Sequence, residues 1–226
     1  QTHIKGFGLD LSAATLAASI KYPVGYGEIC AENKIKKKAG YFSTEQDIVD
    51  WIWRETGLSG KRHPLTWIME ACDDIAYSIL DVDDILKKEI ISPDDVVKRL
   101  ATKVRGESVY NKLVEKFSEI ESEALSKDIE RDIKIQYVRA YLMEELISQA
   151  TVSFLTQADS AEGLTKPLMD DSELCNALKD ISYTEAVQNP LVLKAEALGA
   201  AAIDGLMTAL WAAISNRELF DKIDSK

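Results

Sequence analysis

Histidine is almost missing from this 226-residue chain: there are two, His3 and His63, and neither is followed by aspartate. His63 stands directly before Pro64 with no partner at ligand spacing, so it reads as a helix-entry residue. Eleven glycines and five prolines are few for this length. Both residues punctuate turns, and their scarcity predicts long helices. The three cysteines, Cys30, Cys72 and Cys175, are widely spaced, odd in number and without a C-x-x-C pair. That pattern argues against a disulfide framework or a zinc site and suits reduced thiols in a cytoplasmic protein. A basic excess is also lacking. The formal net charge of −11 leaves no surplus cations for counterion release, which argues against a nucleic-acid backbone as partner. The one basic cluster, Lys34-Ile35-Lys36-Lys37-Lys38, has no interleaved aromatics and reads as a solvated loop. The most membrane-like run, Ala197 to Ile214, is broken by Asp204 and holds two glycines. It is expected to be a core helix, not a membrane span.

What the chain does have is ordinary for a soluble protein: 46% hydrophobic and 29% charged residues, enough for a sizeable core. Alternating strand patterns are nearly absent, with a weak strand signal only at Gly40 to Phe42. Helices are expected from Asp10 to Lys21, stopped by Pro23, and from Ser43, capped with Gln46, to the stop at Gly57. Another runs from Pro64 into the mid-80s. Ser92-Pro93-Asp94-Asp95 starts a short helix ending near Gly106. Further helical patterns cover about Ser108 to Leu125 and Ile129 to Ala158, and a last one follows Asn189-Pro190 to about Ser215. Asp159 to Asp171 is the expected loop. Trp51, Trp53, Trp67 and Trp211 fall on helical patterns as core or interface residues.

The segment from Arg62 to Asp81 carries the most chemistry. At about 100° per residue, Glu70, Asp73, Tyr77, Asp81 and Asp84 share an arc of roughly 80°. An acidic stripe with one tyrosine is what a helix bordering a metal and nucleotide site needs, since hard cations want carboxylate oxygens and a sugar hydroxyl wants a fixed acceptor. An acidic solvent face on an amphipathic helix has the same pattern. Asp73 and Asp74 point about 100° apart, so one of them at most serves as a ligand. Arg139, in the apolar pattern Ile135, Val138, Leu142, needs an anion, either a phosphate or a structural carboxylate.

Three blocks point to a family. Glu70-Ala71-Cys72-Asp73-Asp74-Ile75-Ala76-Tyr77, preceded by Arg62-His63-Pro64-Leu65, resembles a motif of the dGTP triphosphohydrolases, HD-type phosphohydrolases. Leu9-Asp10-Leu11-Ser12-Ala13-Ala14-Thr15-Leu16 followed by Lys21-Tyr22-Pro23 is similar to that family's "LNLTxxTL…KYP" block. Lys36-Lys37-Lys38-Ala39-Gly40-Tyr41-Phe42 is similar to its Lys-x-Gly-Phe-Phe segment. Order and spacing agree across residues 9–81; beyond about residue 90 only a general helical likeness is left. The family's first histidine and its His-Asp pair have no counterpart here. The chain looks like the C-terminal half of such an enzyme, and the start at Gln1-Thr2-His3, without an initiator methionine or a signal pattern, fits a truncated or proteolysed product.

The resemblance implies an all-α, multi-helix HD-type bundle, with residues 1–90 completing the catalytic core and 91–226 forming a helical C-terminal region. It implies a divalent metal ion, Mn²⁺ or Mg²⁺, with Asp73 as catalytic metal ligand. Lys21, Tyr22, Tyr77, Asp81 and Arg139 become the expected substrate-binding residues, Lys21 as a point charge on phosphate and Asp81 as acceptor from the 3′-hydroxyl. The parent would hydrolyse a deoxynucleoside triphosphate, dGTP first, to the deoxynucleoside and triphosphate. The resemblance also implies a ring-like homo-oligomer, for which the apolar C-terminal helix offers an interface. The rivals are a non-catalytic helical module for nucleotide sensing or assembly, and an HD phosphohydrolase acting on another nucleotide.

Overall fold

The computed structural model describes residues 9–105 and 107–216, so His3 and the Gln1 start lie outside the described residues. Among the described residues, eight α-helices follow in order: α1 Ala13–Ser19, α2 Gln46–Thr56, α3 Pro64–Lys87, α4 Pro93–Lys103, α5 Glu107–Ser122, α6 Lys127–Ala158, α7 Glu173–Ser182 and α8 Pro190–Ser215. No strand occurs among the described residues, and the fold is all-α, consistent with an HD-type bundle.

Helix boundaries follow local chemistry. Pro64 opens α3 at its first turn, where no N–H is needed, and His63 Nδ1 accepts from the Leu65 N–H at 3.1 Å. Ser92 caps α4 by accepting from the Asp95 N–H at 3.1 Å, while Asp95 reaches back to the Ser92 N–H. Gly57 ends α2 at φ 68°, the left-handed conformation that glycine adopts without strain.

The core forms around α3. Trp67, Ala71, Ile75, Ile79, Val82 and Leu86 recur at helical spacing and are buried in one cluster with α6 (Ile135, Val138, Leu142, Leu146) and α7 (Leu174, Cys175, Leu178, Ile181). Residues of α4 and α5 complete the cluster, so the core draws on both sides of residue 90. At its α5–α6 edge, buried Lys134 sits 5.0 Å above the Phe117 ring and pairs with Glu121 (2.6 Å), Glu130 (2.8 Å) and Asp94 (3.6 Å). Burial alone would push this ammonium down; the hydrogen bonds to Glu121 and Glu130, with Asp94 nearby, outweigh it and hold its pKa up at about 12. A raised cationic pKa stabilises the fold fully below the ordinary value of 10.5 and loses that contribution as pH rises through about 12. Between those two pH values, chemical denaturation should show the stability of the wild-type chain falling more steeply than that of Lys134→Met; parallel profiles would contradict the assignment.

Four sequence expectations need correction. Gly40 to Phe42 is not a strand: Gly40 donates a single loop hydrogen bond to the Val24 carbonyl at 3.0 Å. Ser43 does not cap with Gln46, because Ser43–Glu45 is a 3₁₀ turn in which Glu45 accepts from the Phe42 N–H at 2.9 Å. Helix α7 lies where the sequence predicts no helix; it is only ten residues long, and its pattern becomes clear once α3 and α4 face it. The C-terminal run is not a core helix. In α8 only Ala213 is buried, and Leu198, Ile203, Leu206 and Trp211 are exposed. Apart from Lys194, Glu196 and Asp204 it is largely apolar, and its main contact is the π turn Tyr183–Val187 that joins it to α7. Its 26 residues meet the length needed to cross a bilayer, a property that interface helices share.

Candidate substrate and metal-binding face

Two sequence blocks about fifty residues apart meet at the first turns of α3. Ser12 caps α1 by accepting from the Thr15 N–H at 3.3 Å, and the helix stops at Ser19, so Lys21-Tyr22-Pro23 is a bent, non-helical exit strap. Thr66 of α3 donates to the Ala18 carbonyl at 2.9 Å and fixes the end of α1. Arg62, its side chain only 1% exposed, donates through Nε to the Lys21 carbonyl at 2.7 Å and through a terminal nitrogen to Glu70 Oε2 at 2.5 Å. Its guanidinium lies 4.6 Å from the Trp67 ring centroid and 5.8 Å from that of Tyr22.

The third block locks the strap from the other side. A β-carbon at Gly40 would lie 1.8 Å from the Tyr22 carbonyl oxygen, so only glycine allows the 36–42 segment to pass this closely. Of the basic cluster, Lys34 pairs with Asp170 and belongs to an exposed loop.

The strap presents Lys21 to the acidic stripe. The Lys21 ammonium is 3.5 Å from Glu70 Oε1 and 3.8 Å from Asp73 Oδ2. Two of the expected site residues, Lys21 and Asp73, are therefore neighbours in space. Tyr22 lies beside them, half-buried under Arg62. Glu70 is largely buried and committed to Arg62, whereas Asp73 is 55% exposed and can accept a further ligand. Asp74 faces elsewhere: Lys179 of α7 donates to it at 2.8 Å. Its carboxylate is thus engaged in joining α3 to α7.

Tyr77 and Asp81 continue along the stripe, both open to solvent. Partial burial, and secondarily the like charge of Asp84, holds the Asp81 carboxyl above its ordinary value. Arg139 is not brought into this group. It is half-exposed on α6 and its partner is Asp83, 3.8 Å away, ten residues or about 15 Å along α3 from Asp73. The Arg62–Glu70 pair is only faintly legible in the sequence. Its signal is an arginine just before a helix whose second turn carries a carboxylate, a pairing that needs the chain to fold back.

Among the described residues, no three carboxylate, histidine or cysteine side chains converge on a metal position. Asp73 supplies one hard oxygen donor, whereas a Mg²⁺-like ion takes about six ligands. These residues fit one contribution to a metal centre and do not form one by themselves.

No protein-family model matches the chain. Curated relatives do. The deoxyguanosinetriphosphate triphosphohydrolase-like protein of Listeria monocytogenes is 30% identical over 210 residues, 89% of this chain and 44% of the relative. The deoxyguanosinetriphosphate triphosphohydrolases of Klebsiella pneumoniae and Enterobacter sp. are 27% and 28% identical over 88% of this chain and 42% of their own length. The chain thus spans less than half the length of the curated relatives it matches. An all-α bundle that gathers the Lys-Tyr-Pro, glycine and Glu-Ala-Cys-Asp-Asp blocks at one face, with similarity along most of its length, is related to the dGTP triphosphohydrolase family.

Proposed function

We propose that this chain is the part of a metal-dependent deoxynucleoside triphosphohydrolase, acting on dGTP, that supplies one wall of the active site. The observation that carries this reading is the meeting of Lys21 and Asp73 at 3.8 Å, a partly exposed cation and an accessible carboxylate side by side. Water and dGTP would give deoxyguanosine and triphosphate. Asp73 would be one ligand to a divalent ion, Mn²⁺ or Mg²⁺, which when bound supplies Lewis-acid polarisation of phosphate and lowers the pKa of a bound water.

The chain's own residues do the holding. Lys21 places a compact positive charge where a phosphate oxygen would lie, with Tyr22 beside it. Tyr77, one turn beyond Asp73, offers an exposed ring and hydroxyl. Asp81, about 12 Å along the axis from Asp73, accepts from the 3′-hydroxyl of the sugar. Arg139 receives the least support, since its charge already faces Asp83. The apolar, exposed α8 is the surface offered to a second copy of the protein.

The test is triphosphate release from dGTP with Mn²⁺, run on the parent protein and on this chain in parallel. The parent should turn over, and the isolated chain should stay at the buffer blank because Asp73 alone cannot hold the ion. Activity of the isolated chain would mean the site is misplaced. Nucleotide binding by the parent without hydrolysis would favour the non-catalytic sensing module.

A further inference from the structure

Lys21 stands between two carboxylates, and the two are not alike. Asp73 is more than half exposed, whereas the Glu70 side chain is 12% exposed and its second oxygen is taken by Arg62 at 2.5 Å. Arg62 is itself buried, bounded by Trp67 and Tyr22 and tied to the Lys21 carbonyl. One guanidinium therefore holds the backbone of Lys21 and, through Glu70, its ammonium. With both ends of the lysine fixed, a flexible four-carbon chain loses its freedom to wander. Without Glu70, Asp73 is the carboxylate left within ion-pair reach of Lys21 among the described residues, and the ammonium would settle on the carboxylate that a metal ion needs.

From this geometry we infer that Glu70 is a positioning residue, braced by Arg62, that keeps the Lys21 ammonium beside Asp73 without letting it neutralise Asp73. The inference rests on the phosphate-binding reading of Lys21 above. Both Glu70 oxygens face cations, Oε1 the Lys21 ammonium and Oε2 Arg62, so it acts through Lys21.

The experiment is a double-mutant cycle between Glu70 and Lys21. Glu70→Gln retains an oxygen that can accept from Arg62 but removes the anion facing Lys21. In the parent protein it should raise the KM for dGTP about tenfold and weaken inhibition by inorganic tripolyphosphate in parallel, the scale expected for losing a largely buried charge 3.5 Å from the ammonium. In a Lys21→Met background the same change should move KM less than about twofold. A tenfold loss that persists without Lys21 would overturn the inference, because a purely structural glutamate would act additively.

A second readout does not depend on activity. The side-chain ammonium ¹⁵N–¹H signal of Lys21, measured in this chain, should be present in the wild type and be lost to solvent exchange or shifted in Glu70→Gln. An unchanged signal overturns the inference even if the parent proves inactive towards dGTP, an outcome that would instead count against the functional reading. If Glu70→Gln fails to fold because Arg62 is left buried without an anion, the paired Arg62→Met/Glu70→Gln variant removes both charges together and takes its place in the cycle.

Discussion

Replacing Asp73 by alanine in the parent protein should abolish dGTP hydrolysis, by about a thousandfold or more, corresponding to roughly 4 kcal/mol of barrier. The fold should hardly notice, because the side chain is 55% exposed and, among the described residues, is paired only loosely, with Lys21 at 3.8 Å. Surface changes of this kind stay within about 0.5 kcal/mol. The adjacent residue provides the control. Asp74→Ala removes the ion pair with Lys179, both side chains being partly solvated, and should cost about 0.2–1 kcal/mol of stability while leaving turnover near normal. Parallel measurements of steady-state rate and thermal midpoint decide it. Normal activity in Asp73→Ala with loss in Asp74→Ala would move the ligand by one residue, even though Asp74 is turned towards α7.

The largest effect on stability is expected at Leu178. Its side chain is fully buried on α7, in the cluster that joins α7 to α3 and α4. Truncation to alanine removes the transfer free energy of the lost methyl groups and leaves a cavity, about 2–5 kcal/mol in total. Against a total stability of about 5–15 kcal/mol this is a large fraction, and at roughly 2–4 °C per kcal/mol for a chain of this size the midpoint should fall by several degrees or more. Lys179→Ala, one residue along and half-exposed, should shift it far less. If Leu178→Ala melted with the wild type, α7 would not be part of the same cooperative unit as α3. Because α7 also holds Asp74, loosening it should disturb the direction in which Asp73 points, and activity in the parent should fall with stability.

Much of the architecture is decided locally. The sparse glycine and proline, the first-turn prolines at 64, 93 and 190, the serine cap at 92 and the left-handed stop at Gly57 act within a few residues, so the helices they bound can be read directly from the chain. The acidic stripe on α3 is equally local, since a period of 3.6 residues places Glu70, Asp73, Tyr77 and Asp81 on one arc whatever lies around them.

What periodicity could not decide is what each face meets. Within the stripe, Glu70 is buried under Arg62 and Asp73 is open, while Asp74, off the stripe, is engaged by α7; helical spacing sets Asp74 apart from Asp73, but only the packing of α1 and α7 on α3 gives the three acids their partners. The C-terminal run had the composition of a core helix and is exposed, because burial depends on a partner surface and not on hydropathy. Arg139 was a buried arginine by pattern and a half-exposed partner of Asp83 in space. Local sequence determined most of the helices, several of their caps and the family blocks through interactions a few residues long, whereas α7 took its place by packing. The meeting of Lys21 with Asp73, across some fifty residues, belongs to the tertiary structure, because it requires Thr66, Arg62 and Gly40 to bring separate segments to one corner.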